Sequence, residues 1–297
     1  MELKYLHTLK TILDSGSYLK AAERLGYTQS TVTFQMQQLE QELSVRLFEK
    51  IGRKMVLTQA GKDILPIVDD ILQSVERLTN HGKPLSKVGG TLKVAMPETL
   101  LTYQMQPVLK AFRMEAPEVM ISMKSPNCYD IRDQIIHGEV DIGIHYDVGG
   151  YGSTAVTKKI GEHKTVLIAP TSLRNEDRNF ITPHQKKNLC LIYSDLGSIS
   201  FKRIRHYLAE KDIVMAGAME LGGTEALKRS VASGLGVALV PEFTVYEEVQ
   251  RGELQILPLS LEHETITVMV THHKNKWISP AMQRLIELAQ EHCGSGQ

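Results

Sequence analysis

The sequence predicts a mixed α/β protein built in two different styles. Three observations carry this: capped helical segments fill residues 3–43 and end in a basic hairpin, one long amphipathic helix follows, and from residue 91 strand-like apolar runs alternate with helical ones. At 297 residues the chain has room for two or three domains with sizeable cores.

The opening helix carries Leu3, Leu6, Leu9 and Leu13. Ser17 is placed to cap a second helix, on which Tyr18, Ala21, Ala22 and Leu25 share one face. Gly26 can close that helix in the left-handed conformation, and Thr28 follows as the next N-cap. In the third helix Val32, Met36, Leu39 and Leu43 repeat at inward spacing, which leaves Gln29, Ser30, Thr31, Thr33, Phe34 and Gln37 on or near the other side.

Two short helices with a tight turn, followed by a basic hairpin, form a winged helix-turn-helix suited to duplex DNA. The exposed residues fit base reading, because a glutamine amide bonds the N6/N7 edge of adenine, hydroxyls bond several edges, and a ring touches a thymine methyl. No Lys or Arg lies between Gln29 and Glu42, so phosphate attraction falls to Lys50, Arg53 and Lys54 at the hairpin tip, with Arg46 a weaker contributor. The competing reading is a helical hairpin whose polar face only meets water.

Thr58 is placed to cap a long helix reaching about residue 80, with Gly61, Ile64, Val68, Ile71, Val75 and Leu78 alternating by three and four. Such a seam predicts a homodimer through this helix, its two recognition helices about one DNA turn apart, ~34–36 Å. Packing on its own domain is the alternative. Pro66 predicts a kink or a late start. Residues 81–90, HGKPLSKVGG, form the clearest linker. The expected domains are therefore 1–60, a linker helix and hinge at 61–90, and 91–297.

Beyond the linker, strands are expected at 92–96, 119–123 and 141–145, with helices at 101–115 and 130–137. A second series runs through TVLIAP, LCLIY, a helix at 200–211, IVMAGAM, a helix at 224–233 and GVALVP. ITVMVTHH and a helix at 280–292 end the chain. This pattern implies α/β with a largely parallel sheet.

The motif order AAERL, TQSTVT, QLEQEL, LFEK, R-K and LTQAG resembles the LysR-type transcriptional regulators, and the likeness continues over essentially the whole chain. Phe34 stands where that family often has arginine, Ser44 where glycine is common and Arg46 where proline is common. The Phe34 departure makes an operator copied from relatives unsafe. The resemblance implies a two-subdomain, periplasmic-binding-protein-like effector domain, with 91–162 plus 268–297 as one half and 163–267 as the other. It also implies a tetramer on promoter DNA and allows RNA polymerase as a further partner.

Between two such halves a ligand cleft is expected at strand ends. Its expected contacts from the first half are Thr99, Leu100 and Thr102 after the first strand, then Ser125, Asn127, His145 and Tyr146. Ser194, Ser198 and Thr224 come from the second half. Thr99, Ser198 and Thr224 also have an ordinary reading as helix caps, and His145 as a satisfied strand-end residue. Glu98, if it faces the cleft, disfavours a simple anionic effector and favours an amine or amino acid; if it only caps a helix from outside, it carries no such information. Cys128, beside an expected helix start, raises thiolate chemistry as a minor reading, with Cys190 in the other half.

Zero net charge gives no global basic field, so DNA binding must rest on local charge. Three dispersed cysteines fit a reducing compartment, and no signal-like or membrane-length apolar run is present, in keeping with a cytoplasmic protein and no membrane partner. P-loop, HExxH, CxxC and G-x-S-x-G motifs are absent, and Gly234-Leu235-Gly236 has Leu239 in place of a third glycine. His272 and His273 alternate faces on a strand, which disfavours a joint metal site. The expectation is a regulator without enzymatic activity, cofactor or metal. A stand-alone solute binder is the rival.

Overall fold

The structure is a computed structural model that describes residues 1–51 and 54–294 and separates into two units, dividing after Gly82. In the first unit α1 (Leu3–Ser15), α2 (Tyr18–Leu25) and α3 (Gln29–Leu43) precede β1 (Phe48–Ile51), β2 (Lys54–Leu57) and α4 (Gln59–Asn80). The Ser17 hydroxyl accepts from Lys20 N at 3.2 Å, Thr28 from Thr31 N at 3.2 Å and Thr58 from Gly61 N at 3.0 Å, so each cap satisfies a first-turn amide. Gly26 closes α2 at φ 67°.

The core of this unit joins Leu6, Leu9, Val32, Met36, Leu39 and Leu47. On α1 the buried stripe also takes in Tyr5 and Ile12, whereas Leu3 is exposed. Two polar contacts reinforce it. Thr8 donates to the buried Gln35 side chain, and the Glu40 carboxylate accepts from Leu47 N at 2.7 Å and Phe48 N at 3.2 Å, tying the hairpin to α3. Ser44 adopts φ 54°, the left-handed region; this explains glycine's prevalence there, since a Cβ costs roughly 1–2 kcal/mol in that conformation.

α4 neither starts late nor breaks at Pro66. Proline removes one amide bond, to Lys62, but both residues are exposed, so water can serve the freed carbonyl. The apolar seam is divided: Gly61, Ile64 and Val68 pack within the unit, and a Cβ at Gly61 would fall 2.5 Å from Leu47 O. Ile71 also packs against that core, whereas Leu78, at 77% exposure, stays outside it and flanks a shallow groove with Val75, Ile71 and Ile67, an exposed residue beside the seam.

The second unit begins with a 3-10 turn at residues 85–87, and Val88 is already core, so part of the expected linker belongs to this unit. Then follow β3 (Gly90–Ala95), α5 (Glu98–Tyr103), α6 (Gln106–Glu115), β4 (Val119–Lys124), α7 (Cys128–Ile136), β5 (Ile142–Tyr146) and β6 (Ala155–Pro170). The chain continues through β7 (Gln185–Tyr193), α8 (Ile199–Glu210), β8 (Ile213–Glu220), α9 (Thr224–Ala232), β9 (Ala238–Pro241), α10 (Tyr246–Gln250), β10 (Leu254–Leu257), β11 (Thr265–His273) and α11 (Pro280–Gly294). The single helix expected at 101–115 is two helices, because Pro107 cannot bond the Tyr103 carbonyl and is accommodated only in a first turn.

β3 lies between β4 and β5 in parallel, and β7 pairs β8 in parallel. The sheet turns antiparallel where the halves are joined: β11 pairs β5 and the early part of β6, while the later part of β6 pairs β9 and β10. A bridge from Leu191 to Val237 links β7 to β9. β6 and β11 are thus the crossover strands. One core gathers Met105, Phe112, Ile144, Val268 and Leu285, and another Phe180, Ile204, Val237 and Leu239.

Candidate functional site

On α3 the outward face is as the helical spacing predicts. Gln29, Ser30, Phe34 and Gln37 are exposed, and Thr31 and Thr33 half-buried. Their hydroxyls are held locally: Thr28 Oγ1 lies 2.8 Å from the hydroxyls of both Ser30 and Thr31, and Thr33 donates to Gln29 O at 2.9 Å. Thr33 has therefore committed its proton and keeps acceptor capacity, which suits a base amino group. Lys50 is exposed on β1, and the backbone of Lys54 pairs with Ile51 on β2; Arg53 lies outside the described residues.

In the second unit a cavity of about 210 Å³ opens between the halves. From the first half Thr99, Ser125, Asn127 and Tyr146 line it; from the second, Ser194, Ser198 and Thr224 do. Thr99 and Tyr146 share a hydrogen bond of 2.7 Å, and Ser125 donates to Met96 O at 2.7 Å. Burial pushes the Tyr146 phenol well above its ordinary range, so it stays a neutral donor or acceptor.

The structure does not bring the other three expected contacts to the cavity. Leu100 is fully buried in the first-half core and Thr102 is exposed. His145 sits on the opposite face of β5 from Tyr146, because consecutive strand residues alternate; it is fully buried, with Nδ1 2.9 Å from Tyr146 O. Burial pushes its imidazole below its ordinary pKa, favouring the neutral ring.

The caps divide as well. Ser198 both caps α8, accepting from Phe201 N at 3.2 Å, and lines the cavity. Thr224 is the first residue of α9 rather than its cap, and Thr99 lies one residue inside α5. Asn127, not singled out as a cap in the sequence, caps α7 by accepting from Tyr129 N and Asp130 N at 3.1 Å each.

Glu98 faces the cleft. Its Oε2 accepts from Thr224 N at 3.1 Å and from Thr224 Oγ1 at 2.5 Å, spanning the two halves. Beside it Tyr103 donates to Glu225, and Lys228 pairs with Glu225 at 2.7 Å and Glu248 at 2.8 Å. Asp195, which the sequence reading passed over, also lines the cavity and accepts from Gly197 N at 2.6 Å. Local sequence held one signal for it, an acid two residues before a glycine and three before a cap.

The thiolate reading of Cys128 gains no support from its surroundings. It opens α7, but burial pushes its thiol up to about 12, so the neutral form dominates near neutral pH. Gly234-Leu235-Gly236 ends α9, at Gly234 φ 84°, and leads to β9. No group of three metal-ligating side chains occurs among the described residues.

Residues 3–62 match the description of a bacterial regulatory helix-turn-helix protein of the lysR family, and residues 86–294 that of the LysR substrate binding domain. The chain belongs to the LysR family of DNA-binding transcriptional regulators with an effector-binding domain. It is 40% identical over 297 residues, the whole of both chains, to the uncharacterized HTH-type transcriptional regulator YfiE of Escherichia coli strain K12. Among solved structures it is similar to a full-length OxyR variant from Pseudomonas aeruginosa, with TM-score 0.71, 21% identity and coverage of 99% and 97% of the two chains. It is also similar to full-length CbnR complexed with its target DNA, with TM-score 0.61, 20% identity and coverage of 98% and 100%. Family membership places the protein among regulators rather than enzymes. No helix among the described residues is long and apolar enough to cross a membrane.

Proposed function

We propose that the protein reads a near-palindromic promoter site through the outward face of α3, and that a small metabolite in the 210 Å³ cavity controls this binding. The observation that carries the reading is the pairing, in one chain, of an exposed, locally braced helix face with a polar cavity between two crossover-linked halves. Gln29, Ser30, Thr31, Thr33, Phe34 and Gln37 would meet bases, and Lys50, Arg53 and Lys54 phosphates. The metabolite acts by binding one arrangement of the two halves better, each tenfold preference supplying about 1.4 kcal/mol of bias.

The exposed Leu78 at the end of the seam and the exposed Ile67 beside it support a homodimer through α4, since apolar surface outside the first unit's core needs a partner. Tetramer formation and RNA polymerase contact follow family resemblance, and a reducing cytoplasm fits a DNA-binding protein with free cysteines.

Fluorescence anisotropy on the DNA upstream of its own gene, against scrambled duplex across a salt series, tests the reading. Competitor-resistant binding is expected for the first. Gln29→Ala should erode the preference, whereas Arg53→Ala should weaken both duplexes and flatten the salt slope by about one. Equal affinity of the wild-type protein for promoter and scrambled DNA would overturn sequence-specific reading at that promoter.

A further inference from the structure

We propose that the ligand of the cleft carries an ammonium group, as an amino acid or small primary amine does, and that Glu98 and Asp195 hold its charge. This rests on the reading of the second unit as the effector unit and names the class of effector.

The first ground is the charge of the cavity wall. Its charged lining side chains are Glu98 and Asp195, and no Lys, Arg or His joins them among the described residues. The cations nearby are committed elsewhere. Lys228 is taken by Glu225, Glu248 and Thr244 O; Arg203 donates to Thr265 O; Lys202 sits 3.2 Å above the Tyr129 ring. A ligand whose only charge is negative would place a third anion in a small space without a counter-ion, and desolvation strengthens that repulsion.

The second ground is how the carboxylates are held. Both Thr224 bonds fall on Oε2 of Glu98, and the Gly197 amide bonds Oδ1 of Asp195. Each group is fixed through one oxygen, and the other makes no hydrogen bond within the described residues. An ionised carboxylate has about four acceptor positions, so each retains capacity for an N–H donor. Two residues on, Gly197 meets the first half: a Cβ built on it would lie 2.9 Å from Asn127 Nδ2, as it would from Asp195 Oδ1. The two acids sit on opposite halves, Glu98 on α5 and Asp195 just after β7, so a cation held by both would bridge the halves.

The third ground is size and lining. About 210 Å³ is below the ~300–1,000 Å³ of sites for drug-sized molecules, which selects a small metabolite. Ile204, Leu227 and Leu239 offer an apolar wall for a short hydrocarbon part. The hydroxyls of Ser194 and Ser198 remain to bond a carboxylate or amide.

The test is calorimetric titration of the purified full-length protein with two matched probe sets. One holds the standard L-amino acids and short primary amines; the other holds the same carbon skeletons without nitrogen, as carboxylic acids and alcohols. Binding is expected only in the first set. Glu98→Gln and Asp195→Asn keep an acceptor oxygen for Thr224 and Gly197, so the fold should survive, yet each should weaken the bound probe by roughly 10- to 100-fold. N-acetylating that probe should abolish its binding.

A nitrogen-free carboxylate that binds the cleft, or a bound amine insensitive to both substitutions, would overturn the ammonium assignment while leaving the effector reading in place. Failure of every probe in both sets, with no change in DNA affinity, would overturn both.

Discussion

The polar contacts that shape the outward face of α3 and those that span the cavity act over different distances. In the DNA-reading unit Ser17, Thr28 and Thr58 each bond an amide three residues on, and Thr33 bonds the carbonyl four residues back. In the effector unit Glu98 reaches Thr224, 126 residues away. The outward face of α3 is therefore braced by its own helix. The cleft exists only when both halves are folded and facing. This is why the proposed ligand control is assigned to it: contacts such as Glu98–Thr224 form only where the halves meet.

The largest expected effect breaks one unit without the other. Leu39 is fully buried in the first core, so Leu39→Ala should destabilise that unit by about 2–5 kcal/mol. Specific DNA binding should be lost at physiological temperature, while the amides of β3, β5 and β7 keep their hydrogen-exchange protection. Equal loss of protection in both units would show that they unfold as one body.

A smaller effect is expected at Gly236, where a Cβ would stand 2.1 Å from Cys190 O, a backbone atom that cannot swing aside. Gly236→Ala should cost about 1–3 kcal/mol and disturb the 2.9 Å bond from Val237 N to Cys190 O that helps join β9 to β7. Faster exchange at Val237, with unchanged salt dependence on DNA, is the expected pair of readings. Unchanged exchange there would mean that the strands have room to shift.

The same contrast of distance explains what could be read from sequence. Caps at Ser17, Thr28 and Thr58, the inward positions Val32, Met36 and Leu39, and the end of the long helix near Asn80 are short-range patterns. In the effector unit the strand and helix alternation was legible, but the early part of β6 was not, since VTKKIGEHK is polar and its partner lies about a hundred residues on. Seven expected contacts meet at the cavity because they follow strands at their open ends. Leu100 and His145 do not, because one helical residue turns the side chain by about 100° into the core and one strand residue puts it on the opposite face. Asp195 was missed for lack of a periodic signal, and whether Glu98 faced inward depended on where Thr224 would lie.

The smallest expected effects sharpen the comparison most, because two caps of equal geometry serve different ends. Thr28 and Ser198 each accept from a first-turn amide at 3.2 Å, and replacing either by alanine should cost about 1 kcal/mol. A loss of that size lowers Tm by about 4–8 °C in a domain as small as the first unit and by about 2–4 °C in one as large as the second, since unfolding entropy scales with length. Thr28→Ala also frees the Ser30 and Thr31 hydroxyls from their 2.8 Å contacts, so the ratio of specific to random DNA affinity should fall while ligand titration is unchanged. Ser198→Ala should do the reverse, because that hydroxyl lines the cavity. If Ser198→Ala altered affinity for promoter DNA in the absence of ligand, the cap of α8 would already bias the reading helix before any effector arrives, and the division between local bracing and long-range assembly would not hold.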